Sequence, residues 1–141
     1  MGKKLDHVGI VVENLNESIP IYESLLGVRP VSIKDVPTQK VRAAFFEAGN
    51  GVEVELIKPT DPESGVARYL KKHGPGVHHI CFEVEDVDEE LESMAAQGIQ
   101  PIDQVGKVDI TGKIGFIHPK STRGVLIEFA QYQKPRERDY R

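Results

Sequence analysis

The sequence predicts an α+β fold made of two βαβββ modules, whose mixed sheet curves in a barrel-like way around a shared cleft. Residues 5–17 align with residues 77–89 at an offset of 72, and residues 51–55 align with residues 124–128. Each repeat also contains, in order, an apolar run, a segment with helical periodicity and three further apolar runs. Neither repeat is large enough for a stable core alone, so we expect the two to share one domain.

The individual elements follow from apolar periodicity and turn residues. Short runs rich in β-branched residues predict the first strand of each module at residues 5–12 and 77–84. A helix follows each strand, from residue 16 or 17 to 26 and from 87 to 97, and a glycine ends each helix. Pro20 is expected in the first turn of the earlier helix, where its missing N–H costs little. Further strands are predicted at residues 28–33, 41–48, 52–57, 99–105, 113–117 and 125–130.

These elements set the expected domain organisation. A Pro-rich break near residue 60 and the segment Gly74-Pro75-Gly76 bracket a linker helix. We therefore expect a single domain over residues 1–141, with module 1 at about 4–59, the linker helix at about 62–73 and module 2 at about 76–132.

Composition and charge exclude several classes of protein. Eighteen Lys and Arg against 22 Asp and Glu give a net charge of −4 without a basic face, which argues against nucleic acid or an anionic membrane as partner. No apolar run approaches the roughly 20 residues of a membrane span, and no signal segment is recognised. The single cysteine cannot form an internal disulfide. We therefore expect a cytoplasmic protein that acts on a small molecule.

Two histidines and two glutamates occupy matching positions in the repeats. His7 and His79 lie inside the first strands, and Glu55 and Glu128 lie near the ends of later ones. Alternate side chains of a strand face opposite ways, so only one of His78 and His79 can face the cleft, and the repeat selects His79. Converging buried carboxylates need a compensating cation or proton. Two imidazoles and two carboxylates suit one divalent zinc, cobalt, nickel or manganese ion, since calcium prefers oxygen ligands.

The chemistry of such a site involves a carbonyl substrate. A cation held there would polarise a carbonyl and stabilise the enolate formed when a neighbouring C–H loses its proton. Cys81 lies on the same predicted strand face as His79. It is interpreted either as a soft neighbour of the ion or as a small apolar core residue.

Four segments make the chain similar to a known family over nearly its whole length. The segments are LDHVGI at 5–10, GVHHIC at 76–81, FIHPK at 116–120 and GVLIE at 124–128. They resemble the methylmalonyl-CoA epimerases of the vicinal oxygen chelate superfamily, which also contains glyoxalase I, extradiol dioxygenases and antibiotic-resistance proteins and is built from paired βαβββ modules.

The resemblance implies an activity and a ligand set. It implies epimerisation of (2R)- and (2S)-methylmalonyl-CoA by removal of the α-proton through a metal-stabilised enolate, with one divalent ion per chain. His7, Glu55, His79 and Glu128 match the family's metal ligands, and some members have Gln at the position of Glu55. Glu128 also matches a proposed acid/base.

Inversion of the α-carbon requires a proton to leave one face and another to arrive at the opposite face. Some family members carry a Glu where this chain has Ala43, so Glu47, two alternations further along the strand, is the substitute candidate, together with water on the metal. Coenzyme A would bring phosphates, for which Lys120, Arg42 and Arg123 are candidate contacts. Members of the superfamily are commonly dimers, so a homodimer is expected.

Two alternatives stay open at the level of sequence. One is a glyoxalase I-type lactoylglutathione lyase, which also moves a proton beside a metal-bound oxygen. The other is a non-catalytic module that binds a small molecule on the same scaffold, because a fold does not fix a function. A dioxygenase is disfavoured, since a facial triad has two histidines and one carboxylate, and Glu55 would fill an open position.

Overall fold

The computed structural model describes residues 2–109 and 112–133, and the chain divides into two compact units. Among the described residues, we call 8–78 the N-terminal unit, and 2–7 together with 79–109 and 112–133 the C-terminal unit. The described residues form strands and helices in this order: β1 (Lys4–Val11), α1 (Leu15–Leu26), β2 (Ser32–Val36), β3 (Val41–Glu47), β4 (Glu53–Pro59), α2 (Gly65–His73), β5 (Gly76–Glu83), α3 (Val87–Ala96), β6 (Lys107–Val108), β7 (Gly112–Ile117) and β8 (Leu126–Tyr132).

The order β1-α1-β2-β3-β4 recurs as β5-α3-β6-β7-β8, so the predicted repeat of the βαβββ pattern is confirmed. Pairing is antiparallel in β2/β3, β3/β4, β6/β7 and β7/β8 and parallel in β5/β8. The sheet is therefore mixed, as the predicted α+β class requires. None of the described helices is long and apolar enough to cross a membrane.

The N-terminal unit has the strand order β2-β3-β4-β1. Its alternating strand residues form two apolar clusters. In one cluster, Val12, Leu15, Ala44, Phe46 and Leu56 pack with the apolar side of α1. In the other, Val66, Tyr69 and Leu70 of α2 pack against a group of buried aliphatic residues from the strands, namely Val11, Val36, Val41, Ala43 and Ile57.

The C-terminal unit has the strand order β1-β5-β8-β7-β6. One face of this part of the sheet is covered by α3, whose Val87 and Leu91 contact Ile117 and Phe129. Side chains alternate across a strand, so residues between those positions face away from α3. Cys81, on that opposite face, packs in a separate cluster with residues of β7 and β8.

Two predicted strands are placed wrongly. Instead of residues 28–33, β2 occupies Ser32–Val36 and pairs with β3 from Ser32 onward. Pro30 has no N–H to donate to a ladder, and Val28 and Val31 are exposed. Instead of residues 99–105, β6 is the pair Lys107–Val108, and Pro101 forms only an isolated bridge to β7. Ile99 packs against the cluster under α3, but Ile33, Ile102 and Val105 are exposed, and apolar periodicity cannot anticipate apolar residues on the surface.

The predicted position of Pro20 is also wrong. Asn14 caps α1 by accepting a hydrogen bond from the Glu17 amide, so the helix begins at Leu15 and Pro20 lies inside it rather than in the first turn. The predicted glycine stop is confirmed, since Gly27 is the left-handed C-cap with φ 73°. The linker helix is α2, and the predicted module bounds stay predictions.

Candidate metal centre

Three of the four predicted ligands meet within the C-terminal unit. His7 Nε2 lies 3.1 Å from His79 Nε2 and 3.1 Å from Glu128 Oε1. His79 Nε2 lies 3.3 Å from the same carboxylate oxygen. The residues are 6%, 1% and 2% exposed, so water contributes little to their solvation. We call His7, His79 and Glu128 the buried triad.

The sheet registers position the buried triad. His79 pairs with Leu126, and Cys81 pairs with Glu128, so His79 of β5 and Glu128 of β8 are diagonal neighbours on one face. Phe116 of β7 lies opposite Glu128, and its ring stands edge-on to His79 with 6.5 Å between centroids. The triad therefore lies on the face away from α3, beside aromatic and aliphatic side chains.

The neighbouring His78 belongs to a different environment. Its ring is T-shaped to Tyr69 of α2, with centroids 4.8 Å apart, inside the N-terminal unit. Burial lowers the pKa of His78 from 6.5 to about 4. The structure thus brings His79, and not His78, to the triad.

The donor set of the triad fits a divalent cation. Two imidazole nitrogens and a carboxylate oxygen are ligands for zinc and similar borderline ions. Ligand atoms bonded at about 2.0–2.2 Å to one such ion, at angles between octahedral and tetrahedral, stand about 2.8–3.6 Å apart. The 3.1–3.3 Å spacings of the triad lie within that range. Three buried acceptor-type atoms this close together are costly unless a cation or protons lie among them.

A buried carboxylate supports His7 from the other side of its ring. Asp6 Oδ2 lies 2.6 Å from His7 Nδ1 and accepts a hydrogen bond from the Tyr132 hydroxyl at 2.6 Å. Asp6 is 0% exposed. The sequence analysis did not single out Asp6 or Tyr132. Alignment of the two repeats does not point to Asp6, because a histidine stands at the corresponding position of the second repeat. For Tyr132 a signal exists, since strand alternation places it on the same face of its strand as Glu128.

Cys81 is adjacent to this group. Asp6, His7 and Cys81 offer ligand-type atoms within 4.8 Å of one another. Burial raises the pKa of the Cys81 thiol well above 9.0, and the negative charge of Glu128 raises it further. Cys81 also packs in an apolar cluster with Ile114 and Ala130, which favours the interpretation of Cys81 as a core residue.

Glu55 and Glu47 lie in the N-terminal unit. Glu55 is partly buried on β4 and pairs with Phe45 of β3. At the end of β3, Glu47 Oε1 accepts hydrogen bonds from the amides of Gly49 and Gly51 at 2.8 and 3.2 Å. The Glu47 carboxylate thus closes the hairpin turn between β3 and β4. The roles of Glu55 as a ligand and of Glu47 as an acid/base stay predictions.

The three candidate phosphate contacts are exposed. Arg42 of β3 forms an ion pair with Asp35 of β2, with 3.1 Å between Nη1 and Oδ1. Lys120 lies within a 3-10 turn, Pro119–Thr122, and Arg123 is the C-cap of that turn, in the C-terminal unit. His118 caps that turn by accepting a hydrogen bond from the Lys120 amide at 3.1 Å. Lys120 and Arg123 therefore present two positive charges on one short, ordered loop.

Comparisons with known proteins agree with this fold. A family model for the glyoxalase/bleomycin resistance protein/dioxygenase superfamily matches residues 6–116. The chain is 34% identical over 130 residues to the mitochondrial methylmalonyl-CoA epimerase of Dictyostelium discoideum, covering 91% of this chain and 78% of that protein. The chain belongs to the glyoxalase/bleomycin resistance protein/dioxygenase superfamily.

Solved structures narrow the similarity further. A methylmalonyl-CoA epimerase from Mycobacterium tuberculosis is 32% identical with a TM-score of 0.85, covering 93% of this chain and 89% of that one. A variant of the Streptomyces coelicolor methylmalonyl-CoA epimerase, in complex with 2-nitronate-propionyl-CoA, is 28% identical with a TM-score of 0.85, covering 96% and 98%. The resemblance to methylmalonyl-CoA epimerases is confirmed.

Proposed function

We propose that this chain is a divalent-metal-dependent epimerase that interconverts (2R)- and (2S)-methylmalonyl-CoA by exchange of the α-proton. The observation that carries the proposal is the buried triad, with ligand-type atoms 3.1–3.3 Å apart, in a chain similar to such epimerases over most of its length. The substrate class is supported by the Streptomyces coelicolor relative, whose structure contains a nitronate analogue of an acyl-CoA.

We assign the triad and Glu55 as the ligands of one cobalt, zinc, nickel or manganese ion per chain. When bound, the ion supplies Lewis acidity, which polarises a carbonyl oxygen and stabilises negative charge on it. The side chain of Asp6 orients His7 from behind, as carboxylates commonly do for ligating histidines. The apolar neighbours Cys81 and Phe116 limit access of bulk water to the triad.

We assign removal of the α-proton to Glu128. Its Oε1 faces both imidazoles, so Oε2 is the atom that takes the proton. The α-carbon of methylmalonyl-CoA lies between a thioester and a carboxylate, both of which share the negative charge left by deprotonation. A positioned carboxylate is an adequate base for such an activated C–H.

Delivery of a proton to the opposite face needs a second group. Ala43 carries none, which leaves Glu47 or a water molecule. Because Glu47 Oε1 holds two turn amides, Oε2 would carry the proton. We assign the phosphates of coenzyme A to Lys120 and Arg123, and to Arg42 after it exchanges its Asp35 partner. We also propose a homodimer, which light scattering coupled to size exclusion would test.

The experiment is exchange of the α-hydrogen in D2O. Metal-loaded protein is incubated with (2S)-methylmalonyl-CoA and followed by proton NMR, and a parallel sample contains methylglyoxal with glutathione. We expect loss of the α-hydrogen signal and appearance of the 2R form in the first sample only. Conversion in the second sample alone would instead establish the glyoxalase activity, and binding without turnover in either would establish a non-catalytic module.

Two variants and one treatment sharpen the result. Glu128→Gln is expected to lower exchange by at least about 100-fold, the lower end of what general acid–base groups contribute. The matched control Glu92→Gln, exposed on α3, should leave exchange unchanged. Chelation should abolish exchange, and zinc or cobalt should restore it. Full exchange by Glu128→Gln, or by the metal-free protein, would contradict the assignments.

A further inference from the structure

We propose that Asp6 and Tyr132 are positioning residues that hold the His7 imidazole with hydrogen on Nδ1 and with Nε2 directed at His79 and Glu128. This inference rests on the proposed function only for its link to catalysis. The tautomer and the affinity for a cation are properties of the chain without substrate.

The contacts of Asp6 determine the tautomer. Asp6 is fully buried, and its Oδ2 lies 2.6 Å from both His7 Nδ1 and the Tyr132 hydroxyl. An ionised carboxylate can only accept hydrogen bonds, and the phenol can only satisfy it by donating. If Nδ1 carried a lone pair instead of hydrogen, that lone pair would face a carboxylate oxygen at 2.6 Å with no proton to share. The Nδ1–H tautomer removes that repulsion and gains a charge-assisted hydrogen bond.

The consequence for the triad is direct. A neutral imidazole carries one hydrogen, so hydrogen on Nδ1 leaves Nε2 as an acceptor. His7 Nε2 is the atom that lies 3.1 Å from both His79 Nε2 and Glu128 Oε1. The hydrogen held on Nδ1 by Asp6 therefore leaves Nε2 as the ring nitrogen that can bind a cation between His79 and Glu128.

Tyr132 makes this arrangement more rigid than Asp6 alone could. Tyr132 and Glu128 lie on the same face of β8, four residues apart, while Asp6 and His7 are adjacent on β1. In the strand order β1-β5-β8, both the Tyr132–Asp6 and the His7–Glu128 contacts reach across β5. The Tyr132–Asp6 contact holds the carboxylate behind Nδ1, and the His7–Glu128 contact holds Nε2 on the other side of the ring. Together they restrict the rotation of the His7 ring.

The test begins with the metal-free protein, labelled with 15N-histidine, at a pH where carboxylates are ionised. Long-range proton–nitrogen correlation spectra distinguish a protonated from an unprotonated ring nitrogen. We expect hydrogen on Nδ1 of wild-type His7, and a fraction of rings without that hydrogen in Asp6→Ala. A wild-type ring without hydrogen on Nδ1, or full retention of that hydrogen in Asp6→Ala, would overturn the inference.

Cation affinity is the second readout, measured by competition of zinc and cobalt with a chromophoric chelator. Loss of a partner of this kind lowers affinity by about 10–100-fold, so we expect that drop in Asp6→Ala and a smaller one in Tyr132→Phe. Tyr132→Phe removes one oxygen and keeps the ring, so it stays informative if Asp6→Ala does not fold. The matched control Tyr22→Phe, in α1 of the N-terminal unit, should not change affinity.

A merely structural role would lower thermal stability without moving the tautomer or the affinity, and that outcome would contradict the inference. Failure of the proposed function has a different signature. In that case wild-type protein would show no exchange with methylmalonyl-CoA, while Asp6→Ala would still change the tautomer and weaken zinc binding.

Discussion

The packing of α3 on β7 offers a quantitative test through Gly115→Ala. A Cβ at position 115 would lie 2.8 Å from Leu91 Cδ1 and 2.9 Å from Val87 Cγ1, both closer than carbon atoms tolerate. Leu91 is 1% exposed and Val87 is 0% exposed, so neither side chain has open space into which it can turn. Val87 is also β-branched and stiff in a helix. The added methyl must therefore displace α3 or force unfavourable rotamers.

Two opposing effects set the magnitude. Overpacking lowers the free energy of unfolding by about 1–3 kcal/mol. Replacing a glycine with alanine restricts the unfolded chain and raises the free energy of unfolding by about 0.4–1 kcal/mol. Gly115 is not among the described glycines with positive φ, so alanine brings no backbone strain. The extremes of these ranges give a net cost of about 0–2.6 kcal/mol. Because two contacts are shorter than 3.0 Å and neither side chain can turn away, we expect overpacking to dominate, with a net destabilisation of about 1–2 kcal/mol. Unfolding entropy of about 2.1 cal/mol/K per residue then predicts a fall in Tm of about 3–7 °C for this chain.

A double-mutant cycle with Leu91→Ala identifies the cause. Leu91→Ala alone should cost about 2–5 kcal/mol by leaving a cavity. The double variant should be more stable than the sum of the single effects by about 1–2 kcal/mol, because the added methyl occupies space that Leu91 vacates. Denaturant unfolding of the metal-free protein measures all four corners. Gly115 faces α3 and not the triad, so zinc affinity should not change. A neutral Gly115→Ala, or strict additivity, would refute the reasoning.

Three further predictions concern individual side chains. Glu47→Gln keeps an acceptor for the amides of Gly49 and Gly51 and should change the free energy of unfolding by less than about 0.5 kcal/mol, whereas Glu47→Ala should lower it by about 1–3 kcal/mol. Equal unfolding midpoints of the two variants would contradict this prediction. Loss of α-hydrogen exchange in both variants would assign the second proton transfer to Glu47. Burial raises the pKa of the Cys81 thiol, so iodoacetamide at pH 8 should label Cys81 only after unfolding in guanidinium, and rapid labelling of the native protein would disagree. Hydrogen bonds from Lys113 and from a backbone amide lower the pKa of Asp88 below 3.8. The stability that this contact contributes is therefore present above the pKa of the unfolded chain and is lost as the pH falls through the lower pKa of the folded chain. Carboxyl NMR should give a midpoint below 3.8 that rises in Lys113→Met, and a wild-type midpoint at or above 3.8 would contradict the prediction.

The repeat made most of the fold predictable. An alignment at fixed offset identifies both βαβββ patterns, and runs of alternating or buried residues place β1, β3, β4, β5, β7 and β8. The errors at β2 and β6 share one cause. Both are edge strands in the strand order. In β2 only Val36 is buried, and both residues of β6 are exposed, so little buried surface imposes a pattern on their sequence. Pro20 was misplaced because Asn14, two residues before the expected start, supplies the cap.

The sequence predicted only those site residues that recur at matching positions in the two repeats. The matched positions of His7 and His79 and the recurring glutamate led to the triad. Asp6 and Tyr132 are not matched by the same residue types in the other repeat, and their contact joins residues 126 positions apart. Such a contact exists only once β1 and β8 are placed in the sheet, so neither spacing nor composition reveals it. The turn contacts of Glu47 are local, but whether a carboxylate binds turn amides or solvent depends on backbone geometry.

The most direct test of the central claim is X-ray absorption fine structure of the protein loaded with one equivalent of zinc. The triad predicts scattering from two imidazole rings, nitrogen and oxygen ligands at about 2.0–2.2 Å and no sulfur shell at about 2.3 Å. A sulfur shell would place the ion on Cys81, and a spectrum with fewer than two imidazoles would show that His7 and His79 do not bind it together. Either result would contradict the proposed metal centre.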